Sequence, residues 1–168
     1  FGSAGLGDSS QMATELLANK AGVKMQTVGY KGISPAQMDL VAGRLDMIIT
    51  TMASVGTTAA DKLPKLAFTS AQRDPDFPDV PTVREATGLD YDVNVWWGVF
   101  GPKGVDVEAR DKLNAEIKKA VSTEEFAQFL KSVGARPQAS SPEALQKLLA
   151  SDLAQWTETA QAAGIRVE

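Results

Sequence analysis

Neither cysteine nor histidine occurs among the 168 residues of the chain. Without cysteine there are no disulfides, no thiol nucleophile and no thiolate metal site, and composition leaves the redox compartment open. Without histidine, Ser-His-Asp and Cys-His machinery, the usual zinc sites and the commonest general base near neutral pH are excluded. Long apolar runs are missing too. The longest, residues 47–49 and 95–100, fall far short of the roughly 18–20 residues that cross a bilayer, so direct membrane insertion is not expected. The 17 lysines and arginines are scattered through a chain of net charge −4, with no basic block to meet a phosphate backbone; nucleic acid is not an expected partner.

What is present is ordinary globular composition, 43% hydrophobic and 23% charged, enough to bury a core. The chain opens on Phe1-Gly2-Ser3, the end of a strand running into a glycine-rich turn, so sequence before Phe1 is expected. Asp8 and Ser9 are N-cap residues for a helix reaching about Lys20, with Met12, Leu16 and Leu17 on its apolar face and Gly22 as its stop. Residues 23–29 read as a strand. Ser34 then caps a second helix with Pro35 first, Gln37 three residues after the cap, an apolar stripe of Met38, Val41, Ala42 and Leu45, and Gly43 in its last turn.

Residues 45–50 and 65–70 read as buried strands separated by a helix or loop, and the alternation of elements predicts an α/β fold with a largely parallel sheet. Three prolines and three aspartates make residues 73–81 a surface loop or bridge. Thr82 and Glu85 form a capping box for a short helix ended by Gly88. Residues 91–100 are a long strand pattern with Trp96 and Trp97 on opposite faces. Residues 107–122, 123–133 and 141–163 read as helices, the last striped with Leu145, Leu148, Leu149, Leu153 and Trp156.

The turn from Gly2 to Ser10 holds three glycines and three serines between a strand and a helix. Glycines let a ligand approach the main chain, and N–H groups at a helix start favour an oxyanion. From spacing alone, the segment is either such an anion site or a tight connection using glycine for geometry and serine for capping. Neither phosphate-binding glycine motif is matched, which argues against a nucleotide, and no cofactor is expected. Asp8 would compete for the same N–H groups unless it serves as the helix cap. A second turn places Tyr30, a possible hydrogen-bond donor, and Lys31, expected in water, between Gly29 and Gly32. Asp46 sits in an apolar run, either accepting backbone N–H groups or exposed at a strand start. No catalytic set emerges.

Taken in order, several segments resemble one family, the extracytoplasmic solute receptors of tripartite tricarboxylate transporters, known as Bug or TctC-like binding proteins. They are Phe1-Gly2-Ser3-Ala4-Gly5-Leu6-Gly7, Val28-Gly29-Tyr30-Lys31-Gly32 with Pro35-Ala36, Asp39 through Asp46, Leu66-Ala67-Phe68-Thr69-Ser70 with Arg73, Asp79-Val80-Pro81-Thr82 with Glu85, and Trp97-Gly98 with Pro102. Gln11 stands where the family usually has histidine, and Gly29 where it has proline. The resemblance implies a type II periplasmic-binding-protein fold, a small carboxylate ligand (dicarboxylate, tricarboxylate or aromatic acid), delivery to membrane permease subunits, a periplasmic location and no catalysis.

The resemblance further implies that residues 1–95 are most of the second, ligand-binding lobe, and that residues 96–168 are a hinge strand and C-terminal helices returning to a first lobe whose N-terminal part this chain lacks. It carries Ser3, Ala4, Gly5, Gly7, Ser9 and Ser10 to the carboxylate, Tyr30 and Gly32 to the pocket wall, and Asp46 and Thr50 to the cleft edge. Two other readings stay open here: a fragment or interaction module without ligand affinity, and a hydrolase using Ser3 or Ser9 with a lysine or carboxylate base.

Overall fold

In a computed structural model, residues 1–55 and 62–165 are described. The chain divides into two compact units, one made of Phe1–Val95 with the chain from Trp156 on, the other of Trp96–Gln155. In the first unit, β1 (Gly2–Ser3) pairs in parallel with β2 (Val28–Gly29), Gly2 opposite Val28 and Ser3 opposite Gly29. On its other side the Gly2 N–H donates to the Met47 carbonyl at 3.1 Å. β1 is thus central among three extended segments.

Helix α1 (Ser9–Ala21) follows the turn, and its start obeys its sequence. Asp8 is the cap, accepting from the N–H groups of Ser10 and Gln11, while Ser9 is the first helical residue; Gly22 ends the helix in the left-handed region at φ 66°. Helix α2 (Ile33–Val41) departs from expectation. Its cap is Gly32 at φ 101°, not Ser34, and Pro35 is third. Glycine adopts that φ cheaply, which lets the helix begin two residues early, and proline is tolerated through the first turn because those N–H groups have no helical partner. Gln37 is buried and donates from Nε2 to the Ser54 carbonyl at 2.7 Å, so it belongs to no capping box. Gly43 lies beyond the helix end at φ 71°. Met38 and Val41, expected on the buried stripe, are exposed; the fully enclosed apolar residue of α2 is Ala36.

The strand expectations are largely corrected. Residues 45–50 and 91–100 form no regular strand, residues 65–70 contribute one isolated parallel bridge from Phe68 to Thr82, and residues 23–29 pair only at their last two positions. The backbone bonds in these segments are single links, such as Val93 N–H to Thr69 at 2.9 Å, rather than continuous ladders. Between 45–50 and 65–70 a 3-10 turn occupies Met52–Ser54, and residues 56–61 lie outside the described residues. The α/β class holds, with a much smaller sheet than the pattern predicts.

Helix α3 (Val83–Thr87) carries the predicted capping box, with Glu85 N–H on Thr82 Oγ1 at 3.1 Å and Thr82 N–H on Glu85 Oε2 at 2.9 Å. Arg73 reaches across the proline-rich loop to the same carboxylate oxygen at 2.8 Å. The Thr82 N–H foremost, then Arg73, holds the Glu85 carboxyl below its usual range. The core of this unit gathers Ala13, Leu16, Val83, Tyr91 and Val93, with Leu17, Ile49, Ala67, Leu89 and Trp156 packed against it.

The second unit contains α4 (Val107–Val121), α5 (Glu124–Ser132) and the first part of α6 (Pro142–Ala162), close to the expected helices. Trp96 is half-buried and donates from Nε1 to Asp152 at 2.6 Å, whereas Trp97 is exposed. Leu148, Leu149 and Leu153 of the α6 stripe are also exposed, as are Phe126 and Phe129, which line a shallow 380 Å³ groove with Ala120, Thr123 and Glu125. Among the described residues, no helix is long and apolar enough to cross a membrane.

Candidate functional site

The turn after β1 is laced by its own side chains. Ala4 N–H donates to Ser10 Oγ at 2.9 Å, Gly7 N–H to Gln11 Oε1 at 2.7 Å, and Asp8 N–H to the Gly5 carbonyl at 3.4 Å. Ser10 Oγ in turn donates to Asp8 Oδ1 at 2.7 Å. Among the described residues, the N–H groups of Gly5 and Leu6 have no partner. Leu6 is exposed and Gly5 half-buried, so both can reach solvent or a ligand.

Asp8 resolves the competition foreseen from the sequence. Its carboxylate takes the Ser10 and Gln11 N–H groups, the second and third of α1, and leaves that of Ser9 without a partner among the described residues. Helix α2 differs, because no side chain caps it. Its opening residues lie beside the turn: Gly32 N–H donates to the Ala4 carbonyl at 2.9 Å, Tyr30 N–H to Ser3 at 3.0 Å, and a Cβ on Gly5 would stand 3.9 Å from the Tyr30 carbonyl.

The structure thus brings Ser3, Ala4, Gly5, Tyr30 and Gly32 together through parallel strand pairing, and ties Gly7 and Ser10 to the start of α1. Ser3 is 1% exposed and its hydroxyl reaches only the Gly5 carbonyl at 3.5 Å, while Ser10 is 5% exposed with its hydroxyl engaged on both sides. Ser9 is exposed at the first position of α1. Asp46 is exposed, one of the two expected readings, and Thr50 is half-buried; their segment flanks β1 through the Met47 carbonyl, which accepts from Gly2 N–H.

Tyr30 is not the free donor expected of it. Its hydroxyl donates to Asp39 Oδ2 at 2.8 Å, and Arg44 Nη1 donates to Asp39 Oδ1 at 2.7 Å. The Tyr30 hydrogen bond foremost, then that of Arg44, holds the Asp39 carboxyl below its ordinary range. A carboxyl depressed on folding stabilises fully above its unfolded pKa, and that contribution fades as pH falls through the folded value. The melting temperature lost in Tyr30→Phe is therefore expected at neutral pH and shrinks below about pH 4. An equal deficit at neutral pH and at about pH 2 would show that the phenol does not stabilise the ionised carboxylate.

Sequence reasoning missed Gln11 and Asp39 as parts of this site. Gln11 sits four residues after Gly7, the span of one helical turn, which is a usable signal. The reach from Tyr30 to Asp39 depends on where α2 begins and has no spacing signal. Among the described residues, no cluster of three or more acidic side chains is placed to hold a metal.

Residues 1–165 match the family model described as the tripartite tricarboxylate transporter family receptor. A UPF0065 protein of Pseudomonas sp. (strain P51) is 42% identical over 158 residues, covering 93% of this chain and 47% of that relative. Among solved structures, an R. palustris protein determined with adipate superposes with a TM-score of 0.80 at 30% identity, over 98% of this chain and 56% of that one. MatC from Rhodopseudomonas palustris with bound malate gives 0.73 at 29% identity, over 94% and 55%. The chain spans about half the length of these proteins. With the family model matched from Phe1 onward and the α/β fold shared with periplasmic binding proteins, the chain belongs to the tripartite tricarboxylate transporter receptor family.

Proposed function

We propose that this chain forms one side of a carboxylate site in a solute-binding receptor, and that the ligand carboxylate sits on the Gly5 and Leu6 N–H groups beside the uncapped start of α2. The observation that carries the reading is the selective lacing of the turn: neighbouring donors at Ala4, Gly7 and Asp8 are used internally, and two adjacent ones are left open. Backbone N–H groups bind a carboxylate well because hydrogen bonds to an ionised acceptor are stronger than neutral ones. Glycine at position 5 keeps side-chain bulk away from that approach.

In this reading Ser3 and Ser10 shape the turn from within, Ser9 and Gly7 border the anion, Tyr30 and Gly32 form the wall, and Asp46 and Thr50 lie at the outer edge. Residues 1–95 correspond to most of the ligand-binding lobe, and the chain from Trp96 on to a hinge segment and the C-terminal helices, of which the part from Trp156 packs with the first unit. The relatives solved with adipate and malate make a dicarboxylate the favoured ligand class. The reading includes a periplasmic location and delivery to permease subunits, supported by the family match.

Isothermal titration against adipate, malate, citrate and benzoate tests this directly. Saturable heat with at least one dicarboxylate is expected; no heat with any of the four contradicts the proposal and favours a module without ligand affinity.

A further inference from the structure

Gln11 does more in this turn than a helical surface residue would. It is 6% exposed, its own N–H is held by Asp8 Oδ1 at 3.0 Å, and its side chain folds back one helical turn to meet Gly7 N–H at 2.7 Å. Because Gly7 presents a donor, the carbonyl end of the amide must face it, and the NH2 end is left as a donor pair. No protein partner is recorded for that Nε2, and since among the described residues no fully enclosed side-chain nitrogen or oxygen lacks one, Nε2 is not fully enclosed and keeps its donors free. Gly7 itself sits at φ 72°, the conformation that carries the chain from the open N–H groups into α1.

We propose that Gln11 is a positioning and ligand-binding residue of the turn: its amide oxygen fixes Gly7, and its amide NH2 donates to the ligand carboxylate alongside Gly5 and Leu6. This rests on the carboxylate reading above. A neutral amide offers the turn both an acceptor for the protein and a donor for the ligand without adding charge, which an acidic side chain there would not do.

Two variants separate the roles. Gln11→Met keeps the volume and removes both bonds; Gln11→Glu keeps the acceptor for Gly7 and sets a negative charge where the NH2 stood. In the full chain, amide hydrogen exchange at Gly7 is expected to accelerate at least about tenfold in Gln11→Met and to remain slow in Gln11→Glu. Titrated with adipate and malate at neutral pH, Gln11→Met is expected to bind about tenfold more weakly and Gln11→Glu more weakly still, recovering as the pH is lowered and the new carboxyl protonates. Wild-type affinity in Gln11→Glu overturns the ligand contact, and unchanged Gly7 exchange in Gln11→Met overturns the clamp. A wild-type protein that binds neither acid overturns the carboxylate reading and the ligand contact with it, while the exchange result still judges the clamp.

Discussion

Replacing Tyr91 by alanine is expected to destabilise the Phe1–Val95 unit by about 3–5 kcal/mol, the range for deleting a large aromatic side chain from a packed core. Tyr91 is fully enclosed, touches the cluster of Ala13, Leu16, Val83 and Val93, and donates its hydroxyl to the Ala13 carbonyl at 2.8 Å. Burial pushes its phenol well above the ordinary tyrosine range, so the hydroxyl stays protonated and keeps that bond. Tyr91→Phe retains the ring and is expected to cost only about 1 kcal/mol. Guanidinium unfolding followed by tryptophan fluorescence compares the two; equal costs would mean the ring is not the anchor. The consequence reaches the site, because Tyr91 pins α1, and α1 carries the Ser10 and Gln11 side chains that lace the turn.

A second large effect is expected at Gly2. A Cβ there would stand 2.7 Å from Leu45 Cδ1, 3.1 Å from Ile48 Cγ1 and 3.3 Å from Ala36 Cβ. Leu45 and Ala36 are themselves buried, so they have little room to yield. Gly2→Val is expected to cost about 1–3 kcal/mol by overpacking and to shift β1. Gly29, opposite Ser3 in the same sheet, provides the contrast. Its Cβ would meet only Ser3 Oγ at 4.0 Å, and Gly29→Ala is expected to stay within about 0.5 kcal/mol of wild type. Thermal melts of both variants check the pair, and equal losses would contradict the crowding at β1.

These positions show what was legible in the sequence. Capping is local, so Asp8, Gly22, the Thr82–Glu85 box and Gly88 could be assigned from residue type and spacing, and the structure bears each of them out. Strand pairing is not local. Residues 45–50, 65–70 and 91–100 have apolar or alternating composition, yet whether they join a ladder depends on which neighbours lie alongside. At the start of α2, Ser34-Pro35 is a stronger local signal than Gly32, yet the helix begins after Gly32, at φ 101° and with its N–H bonded to the distant Ala4 carbonyl, a tie that local sequence does not announce.

The site followed the same division. The resemblance marked the turn after β1, while its glycine content alone left an anion site and a tight strand-to-helix connection both open. Which N–H groups remain open could not be read from composition, because Ser10, Gln11 and Asp8 select them through bonds spanning two to six residues. Asp8 changes the picture most. By capping α1 it occupies the Ser10 and Gln11 N–H groups, so the two adjacent open donors of the turn lie at Gly5 and Leu6.

Amide chemical shifts of the 15N-labelled protein during titration with adipate and malate test that claim most directly. The account predicts that the Gly5 and Leu6 amide protons move downfield together and saturate with the ligand, while Ala4 and Ser10, already bonded within the turn, move much less. Saturable shifts centred on other residues, with Gly5 and Leu6 unmoved, would contradict it.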